Sequence, residues 1–184
     1  MKYAKYLITI FILAVLVVVG FMARPPVSSV QTSQSKNVSS GHIYSTWETT
    51  EFDKCVAAWL IIRFIDKDAK FVSYPQGIEI TEGIQFDVPG ADWSRKHLKC
   101  TSQCILETIN NPDPAMKRIV SFAARTELNF WQLDSWPQAQ KCFYDVKEIM
   151  EKNPDPKVCF EKTSIYFDSL YDDIKSGRIA DPNI

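Results

Sequence analysis

The stretch FDKCVAAWLIIRFIDKDAKFVSYP, Phe52 to Pro75, decides the fold. From Cys55 to Ile65 the one charged residue is Arg63. No polar face is left to turn toward water, and a helix that is apolar all round is a buried one. Thr49 and Thr50 stand where caps are expected, and Asp53 falls in the first turn, where the helix dipole favours an anion. The following FVSY, two aromatics and a valine, predicts a strand leading away from the helix. Upstream, in HIYSTWE, Ile43, Ser45 and Trp47 alternate with Tyr44 and Thr46, the two-residue period of a strand. Strand, helix and strand in that order predict a parallel pair joined by a right-handed crossover.

Beyond this unit, Gln76 to Gly83 reads as a loop, and IQFDVPG as a short third strand ended by Pro89-Gly90. The pattern then turns helical. One helix is expected from Lys99 to Asn110, and a second opens at Pro112-Asp113-Pro114 and runs to about Leu128. A third is capped by Asp134 or Ser135, with Pro137 in its first turn, and ends near Asn153. Pro154-Asp155-Pro156 opens the last, to about Gly177. Its Tyr166, Phe167, Leu170 and Tyr171 form a core stripe. Trp47, Trp59, Trp93, Trp131 and Trp136 are all expected in the core. The fold class is α+β: a small, mostly parallel sheet of about three strands packed against about five helices, within residues 42–184.

A formal net charge of −1 gives no overall bias toward nucleic acid or acidic lipid. Five cysteines in 184 residues are too sparse for a disulfide scaffold. No two of them are separated by two residues, and His42 and His97 alone could assist, so no structural zinc site is expected. Cys55 reads as a small buried hydrophobe. Cys142 and Cys159 lie on consecutive helices, offset along them by roughly 10 Å at about 1.5 Å per residue, and no bridge is assigned between them. No Ser-His-Asp pattern, nucleotide loop or haem motif is present, so nothing positive indicates an enzyme or a cofactor.

The N-terminus, MKYAKYLITIFILAVLVVVGFMARPP, sets Lys2 and Lys5 before an apolar run from Tyr6 to Ala23. The run lies between a signal-peptide core and a full transmembrane helix in length. Residues 1–24 are therefore expected to be either a cleaved signal peptide or a membrane anchor. Lysines ahead of the run send the downstream chain out of the cytoplasm. The domain would face the periplasm or the outside from the inner membrane, or be released to the periplasm. Residues 25–41, PPVSSVQTSQSKNVSSG, have little to bury and read as a flexible linker.

The densest chemical constellation is GADWSRKHLKCTSQC, Gly90 to Cys104. Arg95, Lys96, His97 and Lys99 sit in a loop that feeds a helix starting at about Cys100. The first N–H groups of a helix attract anions, and cations ahead of them add to that. A cysteine there would have its thiolate favoured by both. The bland alternative is a solvated basic loop beside a half-buried cysteine. Arg63 either pairs near Asp66 or reaches solvent; functionally, it would aim into a pocket shared with Asp92.

DKCVAAWLIIRFID, Asp53 to Asp66, resembles the D-R-x-A-S-A-W-L-I-x-R-F-I-D opening of the bacterial chromate-resistance domain, the C-terminal part of chromate resistance protein B. FDVPGADW, KCTSQ, NPDPAMKRIV and YFDSLYDDIK resemble that domain's later motifs in register, over roughly Gly41 to Gly177. The family carries acidic, histidine and cysteine residues that look like a metal or anion site. Here Asp92 stands for its glutamate, Cys100 keeps the cysteine and Glu127 replaces an aspartate, while Arg95 and Ala124 stand at common histidine positions. Too few imidazoles remain for a tight transition-metal site. Lys54 keeps the charge of the family's arginine without its fork. The winged-helix half of longer members has an apolar segment in its place, so the resemblance implies no nucleic-acid partner.

The resemblance implies a domain that binds or senses a chromate-like oxyanion. The candidate anion-binding residues are Lys54, Arg63, Arg95 and Lys99, and the candidate thiol or ligand residues are Asp92, Cys100 and Glu127. The alternatives are a structural or protein-interaction module with a degenerate site and no ligand, and a thiol reductant using Cys100. No protein partner is named by the sequence. The N-terminal reading predicts that a reporter fused after Ile184 is active outside the cytoplasm and inactive within it; activity of the fusion inside would make the apolar run a core segment.

Overall fold

In the computed structural model, residues 41–179 are described. The expected anchor, 1–24, and all of the linker but Gly41 lie outside them. Among the described residues no helix is long and apolar enough to cross a membrane.

Strand β1 (Ile43–Trp47) leads into helix α1 (Phe52–Leu60), which continues as a π-helical turn, Ile61–Ile65. Strand β2 (Lys70–Tyr74) and the two-residue β3 (Ile84–Gln85) come next. Then come α2 (Thr101–Leu106), α3 (Pro114–Leu128), a 3-10 turn (Phe130–Ser135), α4 (Pro137–Lys152) and α5 (Pro156–Lys175). The sheet order is β2-β1-β3, with both pairings parallel: Ile43 to Trp47 face Lys70 to Tyr74 in step, and Tyr44 and Ser45 face Ile84 and Gln85. The α+β class and the parallel pairing are as the sequence predicts.

All nine residues of α1 are buried, Asp53 and Lys54 included. Its apolar circumference leaves no other arrangement. On one side Phe52 and Trp59 meet Phe167 of α5 at ring-centroid distances of 6.1 and 5.8 Å. Phe160, Phe167 and Tyr171 of α5 are buried, which makes its predicted stripe part of the core. At the far end the Asp66 N–H donates to the Ile61 carbonyl five residues back, closing the π turn. Burial works to raise the Asp66 carboxyl, but the N–H groups of Gly41, His42 and Asp68 hold it below its ordinary value. That ties the start of β1 to the end of α1.

Several expectations are corrected. The residue before α1 is Glu51, with no side-chain cap, and not Thr49 or Thr50. Thr49 instead gives its carbonyl to Lys54 Nζ at 2.5 Å. Helix α2 is shorter than Lys99–Asn110: after Glu107 the backbone tightens into three-residue turns, and the Thr108 hydroxyl donates to the Ile105 carbonyl. Asp134 and Ser135 lie in the 3-10 turn, so Trp136 precedes α4 and supplies no side-chain cap. Trp131, on the same turn, is 76% exposed and outside the core. Trp59 is fully buried, and Trp93 stacks on Tyr44.

Gly83, just before β3, has φ +79°. A Cβ there would meet Ser45 Oγ at 2.7 Å and the Ile43 carbonyl oxygen at 2.8 Å. The backbone of β1 cannot retreat without leaving β2. Gly83→Ala is therefore expected to lower the unfolding free energy by about 1–3 kcal/mol in urea titration, from left-handed strain plus the close approach. An unchanged midpoint would show that the β3 edge yields freely.

Candidate functional site

The site begins with two adjacent charges at the start of α1. Asp53 is 1% exposed and Lys54 is 3% exposed, and charges so buried must be partnered. They face different partners. The Asp53 carboxylate accepts the N–H of Thr101 at 2.7 Å and of Ser102 at 3.1 Å, so it sits on the first turn of α2. Lys54 Nζ donates to the carbonyls of Trp47 at 3.0 Å and Thr49 at 2.5 Å, and lies 3.4 Å from Asp87 Oδ2. Asp87 holds a left-handed φ of 54° in the turn after β3, and its other oxygen accepts the Thr101 hydroxyl at 2.5 Å.

Lys54 opens onto a cleft of about 340 Å³, to which Trp47, Glu51, Gln76, Asp87, Ser94 and Arg95 also contribute. Arg95 pairs with Glu127 at the end of α3, and its guanidinium lies 4.0 Å from Glu51. Burial pushes the Glu51 carboxyl up, and Asp87 and Glu127 add repulsion. Burial likewise raises Glu127, against the pull of Arg95. Two cations thus share this region with four carboxylates, counting the buried Asp53. Such an arrangement can hold a small anion beside Lys54 and Arg95 once some of those carboxylates are protonated.

The structure brings Lys54, Arg95 and Glu127 together. It does not bring Arg63, Lys99 or Asp92 to the cleft. Arg63, half exposed on the π turn, pairs with Asp168 of α5 at 3.2 Å, on the oxygen that also accepts the Trp59 indole N–H. That places it away from Asp66, its expected neighbour. Lys99 reaches Glu107 at 2.5 Å across the surface of α2. Lys96 and Lys99 exchange backbone hydrogen bonds, making the basic loop a tight turn with its side chains outward. Asp92 is exposed and does not line the cleft.

Cys100 reverses the expectation made for it. It is fully buried as the residue preceding α2, with its N–H on the Gln103 side chain at 3.1 Å. Burial pushes its thiol up to about 12, and the nearby Asp53 charge adds to that. The place an external anion would take is filled by the protein's own carboxylate, which disfavours a thiolate beside it. Ala124 adds no ligand atom, and among the described residues no group of three His, Cys, Asp or Glu side chains is arranged to hold a metal ion.

Sequence reasoning missed Glu51 and Asp87, as it did the role of Asp53. Asp53-Lys54 is an opposite-charge pair in the first turn of an otherwise apolar helix, and a buried pair of that kind implies partners elsewhere. Asp87, before Val-Pro-Gly, carried the signal of an aspartate that tolerates a left-handed turn. Asp53→Asn presents an NH2 group to one of the two α2 N–H groups. It is expected to lower unfolding free energy by about 1–3 kcal/mol in urea titration, whereas Lys99→Ala should leave the midpoint in place. Equal midpoints for all three proteins would remove Asp53 as the link between the helices.

No curated protein and no solved structure matches the chain. A family model does, the one described as ChrB, C-terminal domain, over residues 44–174. That span runs from β1 almost to the end of α5 and takes in every side chain of the cleft. The chain belongs to the ChrB C-terminal domain family and carries a chromate-resistance-related domain.

Proposed function

We propose that this domain binds a small tetrahedral oxyanion of the chromate type, without catalysis, in the cleft between Lys54 and Arg95. The observation that carries the reading is the buried Lys54 ammonium, which lines an open cleft together with Arg95. Family membership supplies the class of ligand. The carboxylates make binding a proton-linked event. Glu51 and Glu127 have raised carboxyls, so they take up protons above the ordinary 4.5 of a free glutamate. Lowering the pH toward them removes negative charge from the cleft and favours the anion. The domain would act outside the cytoplasm, tethered or released, a reading that rests on Lys2, Lys5 and the apolar run.

One observation favours a second reading. Both cations already have carboxylate partners, Asp87 for Lys54 and Glu127 for Arg95. A cleft neutralised from within suits an interaction module that has no ligand. Thiol reduction at Cys100 draws no support from a buried thiol raised to about 12.

Calorimetry with sulfate separates the two readings, because sulfate keeps both charges across the range and does not oxidise thiols. At low ionic strength, wild type should bind sulfate at millimolar concentration, severalfold more tightly at about pH 5.5 than at about pH 7.5. Added sodium chloride should weaken the binding. Arg95→Ala should abolish it, and Glu127→Gln should strengthen it at the higher pH. No binding heat at either pH would overturn the oxyanion reading and leave the ligand-free module.

A further inference from the structure

Cys55 and Cys159 lie side by side where α1 packs on the start of α5. Their sulfurs are 3.9 Å apart, and both residues are fully buried. The two positions are 104 residues apart in sequence, so only the packing of α5 on α1 brings them together. Aromatic contacts along the same interface, Phe52 and Trp59 on Phe167, hold the helices in place. We propose that Cys55 and Cys159 are a disulfide site, closed by a disulfide-carrying oxidant, that staples α1 to α5.

A disulfide needs a sulfur separation of about 2.05 Å, so the two atoms must approach by roughly 2 Å. The reaction is two successive exchanges. One cysteine, as thiolate, attacks a sulfur of the oxidant's disulfide, breaks that bond and releases one thiol. The second cysteine, deprotonated, attacks the protein sulfur of the mixed disulfide and releases the oxidant's other thiol. The protein loses two electrons and two protons, and the oxidant's disulfide becomes two thiols.

In the packed pair the hydrogen bond between the two sulfurs lowers the Cys159 thiol and raises that of Cys55. No oxidant reaches a fully buried sulfur, so closure belongs to folding, before α5 docks, or to transient opening of the helix pair. Once closed, the bond is screened from reductants by the same packing. The site is independent of the oxyanion cleft: it lies on the α5 side of α1, while Asp53 and Lys54 face α2 and the cleft.

The test uses the full chain, reduced and then exposed to oxidised glutathione in moderate urea so that the helices can open. After return to buffer, remaining thiols are blocked under denaturing conditions and the peptides are mapped by mass spectrometry. The expected result is one peptide pair joined through Cys55 and Cys159, two fewer blocked thiols, and a melting temperature at least about 5 °C above that of the reduced chain. Cys159→Ser should lose both the joined peptide and the oxidation-dependent rise, and Cys142→Ser should keep both. Five blocked thiols, bridges joining other cysteines, or a bridge with no rise in melting temperature would each overturn the proposal. The mapping of wild type stands alone if a serine variant fails to fold.

Discussion

The carboxylate of Asp53, accepting the first N–H groups of α2, is the interaction on which this domain's organisation depends. A carboxylate is costly to bury, and a short helix start leaves donors without partners. Each offsets part of the other's penalty, although burial still holds the Asp53 carboxyl above its ordinary value. The pairing joins the first turn of the most buried helix to a segment almost fifty residues later, and the segment between them has to close around it. That closure carries Asp87 to Lys54, the Thr101 hydroxyl to Asp87, and Arg95 to the end of α3.

The cleft inherits its character from this arrangement. With the helix end occupied by a residue of the chain itself, the charges left for an outside ligand are Lys54 and Arg95. Both are moderated by carboxylates, two of which are held above their ordinary range by burial. In the proposed reading, proton uptake by Glu51 and Glu127 and anion binding would be two descriptions of one equilibrium. A basic loop alone would attract any anion at any pH. Under the proposal, this cleft would instead tie the attraction to the protonation of Glu51 and Glu127.

Part of the site was legible from residue types. Lys54 and Glu127 stood out through the family motifs, and Arg95 through its place in a basic loop; the structure sets all three in one region. The loop's other members diverged because sequence proximity does not set side-chain direction. Lys96 and Lys99 pair their backbones, which throws Lys99 outward to Glu107 and leaves Arg95 to face the cleft. Cys100 lay next to the right helix end, but its thiol shares that end with Asp53. Burial, with a charge on another helix adding to it, thereby inverted the prediction.

The sequence by itself determined the elements: an apolar run that had to be a buried helix, flanking strands of period two, and proline–aspartate starts for α3 and α5. These are local properties, written in spacings of two to four residues, and so they survive without knowledge of contacts. It also determined the family, because DKCVAAWLIIRFID is a local motif. Tertiary structure alone decided which groups became partners: Asp53 with α2, Arg63 with Asp168, Cys55 with Cys159, and Trp131 with solvent. The reason is physical. A buried charge or thiol takes whichever group the packing of distant helices delivers to it, and the spacing along the chain carries no record of that delivery.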